Sequence, residues 1–157
     1  MAAERVREYL EEHGVTFERH RHDRAVTAQE VAAAEHESGW HVAKPVLVEA
    51  GRRLAMFVLP APMLLDLDRA AAALGVDDAK LAEEATFAKH FPDCETGAEP
   101  PFGNLYDVSV YVDESLMTAQ RLVFAAGSHT ETMTISLGDY LRLVEPERVR
   151  VGIPADG

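Results

Sequence analysis

A lysine set in an apolar row is the first residue of this chain with an evident chemical use. Over residues 42–50 a two-residue period sends Val42, Lys44, Val46 and Val48 to one face of a strand and Ala43, Pro45, Leu47 and Glu49 to the other. One reading is a stem that snorkels at a strand end. The other is an ammonium at the floor of a pocket, where poor solvation strengthens its pull on a carbonyl or a developing oxyanion. Pro45 has no N–H to give a ladder, which predicts a bulge or an unpaired edge beside Lys44.

A second candidate is the loop Gly97-Ala98-Glu99-Pro100-Pro101-Phe102-Gly103-Asn104. Two prolines stiffen its middle and remove two donors, while a glycine stands at either end. Such a loop can aim the Gly103 amide, with Asn104 beside it, at a ligand; the plainer alternative is a rigid connection. A third candidate is Gly127-Ser128-His129, between two strand-like runs. Neighbours on an extended chain face opposite ways, so Ser128 and His129 do not form a nucleophile pair, which argues against a serine hydrolase. Either one can still face a pocket, or His129 can be a satisfied structural residue.

Other chemistries find less support. His20 and His22 share a strand face and suit two metal ligands, yet no spaced Cys/His signature follows, and the single thiol, Cys94, cannot build a sulfur-rich site. Asp93 and Glu95 beside Cys94 make it a poor nucleophile. Neither a Walker loop nor a Rossmann glycine fingerprint is present, and no metal or cofactor is expected.

The elements that must position these groups follow from periodicity and punctuation. Residues 2–13 read as an amphipathic helix stopped by Gly14, and 15–22 as a strand. Thr27 and Glu30 form a capping-box pattern for a helix ending near His36. Residues 42–50 and 54–59 form a hairpin, apolar enough to lie mid-sheet with both faces covered. Helices are expected at 67–74, at 78–84, and from a Thr86 cap to Phe91. Strands are expected at 108–112, 121–126 and 130–135, then a Ser136-capped helix around 140–144 and an edge strand at 149–153. The order implies an α+β domain, single over residues 1–157, with a mixed, mostly antiparallel sheet and surrounding helices.

A chain of 157 residues can bury a core without disulfides. Fifteen basic against 27 acidic side chains give a net charge of −12, which opposes broad phosphate-backbone binding and limits any nucleic-acid contact to a small local one. The start of the sequence lacks the apolar run of a signal peptide, and no stretch is long and apolar enough to span a membrane, so the cytoplasm is the expected location.

Thr27-Ala28-Gln29-Glu30, Ala43-Lys44, the loop 97–103 and Gly127-Ser128-His129-Thr130-Glu131-Thr132, in that order, resemble the YbaK/EbsC family. These are aminoacyl-tRNA editing domains, also found with bacterial prolyl-tRNA synthetases. The resemblance covers roughly residues 5–145 and implies a small α+β fold, partly barrel-like, that acts in trans as a deacylase. Its substrate is the ester between a wrong amino acid and the tRNA 3′ adenosine, with an aminoacyl-tRNA synthetase as a possible partner. By the same resemblance Lys44 contacts the substrate near the scissile ester, and Gly103 is the loop glycine whose backbone fixes the carbonyl and the water. His129 bears on the amino-acid side chain, Phe102 and Ser128 belong to the same pocket, and His22 and Thr27 lie near its mouth. One departure is Pro45, where the alanine-removing branch often carries Asn, so the amino acid stays open. The competing reading is a non-catalytic module that keeps the pocket for a small ligand or a partner.

Overall fold

The computed structural model describes residues 2–35 and 37–154. In chain order the elements are α1 (Ala2–Glu12), β1 (Glu18–Arg21), α2 (Ala28–Ala34), β2 (Ala43–Ala50), β3 (Arg53–Pro60), β4 (Met63–Leu65), α3 (Leu67–Leu74), β5 (Lys80–Leu81) and α4 (Glu84–His90). They continue as β6 (Ser109–Asp113), β7 (Arg121–Ala125), β8 (Glu131–Ser136), α5 (Leu137–Val144), β9 (Glu147–Val149) and β10 (Gly152–Pro154), with 3-10 turns at Gly39–His41, Gly103–Tyr106 and Glu114–Thr118.

The hairpin β2–β3 sits in the middle of the largest sheet, ordered β5-β2-β3-β6-β9; β1-β8-β7 and β10-β4 form two smaller ones. Of the strand ladders among the described residues only β3–β6 and β6–β9 run parallel, so the fold is the mixed, mostly antiparallel α+β arrangement expected from the sequence. Both faces of the hairpin are covered. Ala43 and Leu47 join Phe102, Phe124, Met133 and Tyr140 on one side, while Val48, Phe57 and Leu59 pack with Leu74 and Tyr111 on the other.

The sheets do not close into a barrel, which corrects the partly barrel-like expectation. A single parallel bridge, Val42 to Val123, links the large sheet to β7 among the described residues. The reason lies at the edge of β2: β5 is two residues long and pairs only with Val48 and Glu49, leaving the outer edge at residues 43–46 without a ladder partner. Pro45 fits that edge. The β2–β3 register is continuous from Ala43↔Pro60 to Ala50↔Arg53, so there is no bulge. A two-residue turn makes Ala50↔Arg53 a hydrogen-bonded pair, and alternation then puts Pro45↔Val58 at a non-hydrogen-bonded one. The Leu47 carbonyl, with the same outward parity as Pro45, accepts from Ala82 N–H at 2.9 Å. The proline therefore costs the hairpin no bond and keeps the neighbouring edge open beside Lys44.

Some boundaries differ from expectation. The helix expected at 78–84 does not form: Lys80 and Leu81 extend along β2, whose edge overrides local helix preference. The next helix begins at Glu84 behind Glu83, so Thr86 lies inside it and does not cap it. The strand at 15–22 narrows to Glu18–Arg21, and the edge strand at 149–153 splits into β9 and β10, because Asp113 holds the amides of Val151, between them, and of Gly152, where β10 begins. The expected end of α2 near His36 falls outside the described residues.

Candidate active site

Backbone hydrogen bonds stitch the double-proline loop to the Gly-Ser-His segment. Glu95 N–H donates to the Gly127 carbonyl at 2.8 Å, and Gly127 N–H returns to the Ala98 carbonyl at 2.9 Å. Ala25 N–H donates to the His129 carbonyl at 2.8 Å, which brings in the chain just before α2. Gly127, at φ +97°, cannot be replaced easily: a Cβ there would lie 2.3 Å from that of Ala2 in α1. Thr27 then fixes the first turn of α2. Its hydroxyl accepts from Glu30 N–H at 3.1 Å while the Glu30 carboxylate accepts from Thr27 N–H at 3.2 Å, the full capping box that the sequence implied.

These segments and the open edge of β2 enclose a cleft of about 60 Å³. Ala25, Val26, Thr27, Ala28 and Val31 form one wall, Val42, Ala43, Lys44 and Pro45 a second, and Gly97, Glu99, Ala125 and His129 a third. The walls mix apolar side chains with three groups that can act on a substrate.

Lys44 is the first. Its Nζ donates to the Ala61 carbonyl at 3.3 Å and to the Met63 carbonyl, which uses two of three N–H donors and leaves one. Burial holds its pKa below the usual lysine range, since the low-polarity surroundings disfavour charge. His129 is the second, at 4% exposure. Its Nε2 donates to the Thr96 carbonyl at 2.9 Å, which requires a proton on that nitrogen.

The third is the loop itself, through Gly97 and Glu99. Gly97 has φ +91°, and a Cβ on it would face His129 Cε1 at 3.5 Å, so glycine gives the backbone its close approach. Gly97 N–H donates to both carboxylate oxygens of Glu99, at 3.0 and 2.9 Å. Burial pushes the Glu99 pKa up, partly offset by the hydrogen bonds from Gly97 and Glu99 amides and by the nearby His129.

The structure thus gathers Lys44, Thr27 and His129, and places the other expected site residues elsewhere. Gly103 does not line the cleft. It opens a 3-10 turn, its carbonyl accepts from Val108 N–H at 2.8 Å, and a Cβ would lie 2.8 Å from the Val108 carbonyl oxygen, so its glycine answers to packing. Phe102 is fully buried, edge-on to Tyr9, Phe124 and Tyr140. Ser128 turns its hydroxyl to Thr130 at 3.3 Å, so it makes no pair with His129. His22 follows β1, its N–H on the Thr130 carbonyl and its Nδ1 on that of Asp23, outside the cleft lining. Gly97 and Glu99 are the residues that the sequence reading missed. Both ends of the loop carry glycine, and one acid among 27 gives no signal.

A larger hollow of about 220 Å³ is lined by Glu18, His20, Glu35, Glu37 and Arg121. Its acids are largely engaged: Glu37 with Arg121 and His41, Glu35 with the Thr132 hydroxyl. Among the described residues no three His, Cys, Asp or Glu side chains stand close enough together to hold a metal ion. Burial raises the Cys94 thiol pKa to about 12.

A family model described as the aminoacyl-tRNA editing domain matches residues 22–143, a span that contains every residue of the cleft. The chain belongs to that family. Solved structures agree with the fold of an editing domain. A candidate trans-editing enzyme for prolyl tRNA synthetase superposes with a TM-score of 0.83 at 20% identity, covering 97% of each chain. A hypothetical protein gives 0.85 at 17% identity, over 94% of this chain and 99% of the other. A scaffold used in computational epitope grafting gives 0.81 at 22% identity, over 97% of each. No curated protein matches the chain significantly. No helix of this editing domain, among the described residues, is long and apolar enough to cross a membrane.

Proposed function

We propose that this editing domain is a trans-acting deacylase that hydrolyses the ester of mischarged aminoacyl-tRNA. The observation that carries the reading is the meeting of Lys44, the Gly97 loop and His129 at one small cleft beside an open strand edge. The third N–H of Lys44 supplies positive charge where the ester carbonyl becomes an oxyanion, and the partial burial of the ammonium strengthens that pull. The Gly97 backbone, held by His129 through Thr96, closes the wall against which the acyl group rests. Water is the nucleophile, and the hydroxyl next to the ester on the terminal ribose can relay its proton, so no serine or cysteine is required. Cys94, buried and with a high pKa, is not a candidate.

A cleft of about 60 Å³ suits a short side chain. Selection by size alone gives about 10- to 200-fold per methylene, so several small amino acids compete. With a net charge of −12 the protein grips little of the tRNA body and works at the 3′ end, in the cytoplasm where that substrate is found, with a synthetase as a possible partner for tRNA choice. Residues Gly103, Phe102, Ser128 and His22 act in this reading through packing and loop placement.

One observation favours the alternative of a non-catalytic binding module: the Gly97 amide is already taken by Glu99 and is not offered to an oxyanion. The test is incubation of the protein with tRNAs charged with Ala, Ser, Cys, Thr and Pro. Ester loss above the buffer rate for at least one is expected; none above it leaves the binding module.

A further inference from the structure

Glu99 has no part in the hydrolysis just described, yet it lines the same cleft at 5% exposure. Backbone amides hold its carboxyl group, which among the described residues forms no salt bridge. Both oxygens accept from the Gly97 amide, a neutral donor. Among the described residues no side-chain donor bonds the carboxyl group: His129 Nε2 donates to the Thr96 carbonyl, and the two hydrogen bonds of Lys44 go to the Ala61 and Met63 carbonyls. Glu84 adds negative charge to the neighbourhood. A buried carboxylate with no ion-pair partner is costly, and one facing a cleft is relieved by a cation that enters it. An amide can anchor on Gly97 as well as a carboxylate can, so loop geometry alone does not call for an acid here.

An aminoacyl ester brings one positive group, the α-ammonium on the carbon next to its carbonyl. Lys44 on one wall and Glu99 on another present opposite charges to opposite demands, the oxyanion and the ammonium. We propose that Glu99 binds the α-ammonium of the acyl group, so that the cleft selects esters with a free amino group and discriminates against N-acylated ones. This rests on the deacylase reading and names the substrate class within it. An N-acylated ester would leave the carboxylate buried against a neutral amide, the kind of mismatch that discriminates more strongly than a missing methylene.

The experiment compares hydrolysis of alanyl-tRNA and N-acetylalanyl-tRNA by the wild type and by Glu99→Gln, with folding checked by urea unfolding. The wild type should favour the free amine by about 10-fold or more, after correction for the uncatalysed rates, the range expected for a hydrogen bond to charge. Glu99→Gln, which keeps an acceptor for Gly97, should bring the ratio of the two rates close to one. A wild type with no preference, or a variant slowed equally on both esters, overturns the proposal and leaves Glu99 as a loop anchor. If the wild type cleaves neither ester, binding of 3′-alanylamino-3′-deoxyadenosine and of its N-acetyl derivative decides. Selective binding of the free amine that Glu99→Gln abolishes supports the ammonium site while the deacylase reading fails; equal or absent binding overturns it.

Discussion

His129 donates its Nε2 proton to the carbonyl of Thr96, 33 positions earlier in the chain, across 2.9 Å. That bond and two backbone bonds through Gly127 fix the loop that carries Gly97 and Glu99 against the turn after β7. Replacing His129 by Ala removes a buried ring and leaves a carbonyl without its donor. The expected loss is about 2–4 kcal/mol of stability, measured by urea unfolding. Amides of residues 95–99 should exchange faster than those of β2 and β3 in the same variant. Exchange unchanged at the loop would mean that the imidazole does not hold it.

The two loop glycines separate site from scaffold. Gly97→Ala places a methyl 3.5 Å from His129 Cε1 at a positive φ, so a cost of about 1–2 kcal/mol is expected together with a large fall in deacylation, because the methyl projects into the cleft wall. Gly103→Ala meets the Val108 carbonyl and Val110 at under 3 Å and should act on stability first, lowering the urea midpoint more than Gly97→Ala does. Reversal of that order would return Gly103 to the site.

How much of this was legible in the sequence can be judged at the same loop. Two prolines and two glycines marked a stiff turn with a chemical use, but which glycine faces the cleft depends on the bonds to Gly127, a partner some 30 residues away that no local pattern announces. Thr27 was readable because a capping box is local, and Lys44 because a two-residue period is local. Pro45 gave the open edge but not its cause, which needs the hairpin register and the shortness of β5. The helix expected at 78–84 failed for the same kind of reason, an edge supplied from 30 residues away.

Alkaline pH should switch the enzyme off early. Burial lowers the Lys44 pKa, so the ammonium is present below the folded-state value and lost as pH rises through it. A deacylase that depends on this charge should lose kcat/KM at a lower pH than an ordinary lysine would dictate, once spontaneous ester loss is subtracted. Between the folded and the unfolded pKa the unfolded chain holds the extra proton, so this group's contribution to stability increases with pH. Lys44→Arg, if it retains activity, should show no such alkaline limb.

Thiol reagents should have little effect. With its pKa raised to about 12 by burial, Cys94 offers almost no thiolate at neutral pH. Iodoacetamide at pH 7.5 should label the folded protein far more slowly than the urea-unfolded chain, as read by intact mass. Fast labelling with parallel loss of deacylation would bring the cysteine into the chemistry.

The most direct measurement is the single-turnover rate of ester hydrolysis for the best substrate among Ala-, Ser-, Cys-, Thr- and Pro-tRNA, with wild type and Lys44→Ala side by side. The account predicts a wild-type rate well above buffer and a fall of about 100-fold or more in the variant, the size seen when one oxyanion-stabilising donor is removed. A Lys44→Ala protein that hydrolyses the ester as fast as the wild type would contradict it.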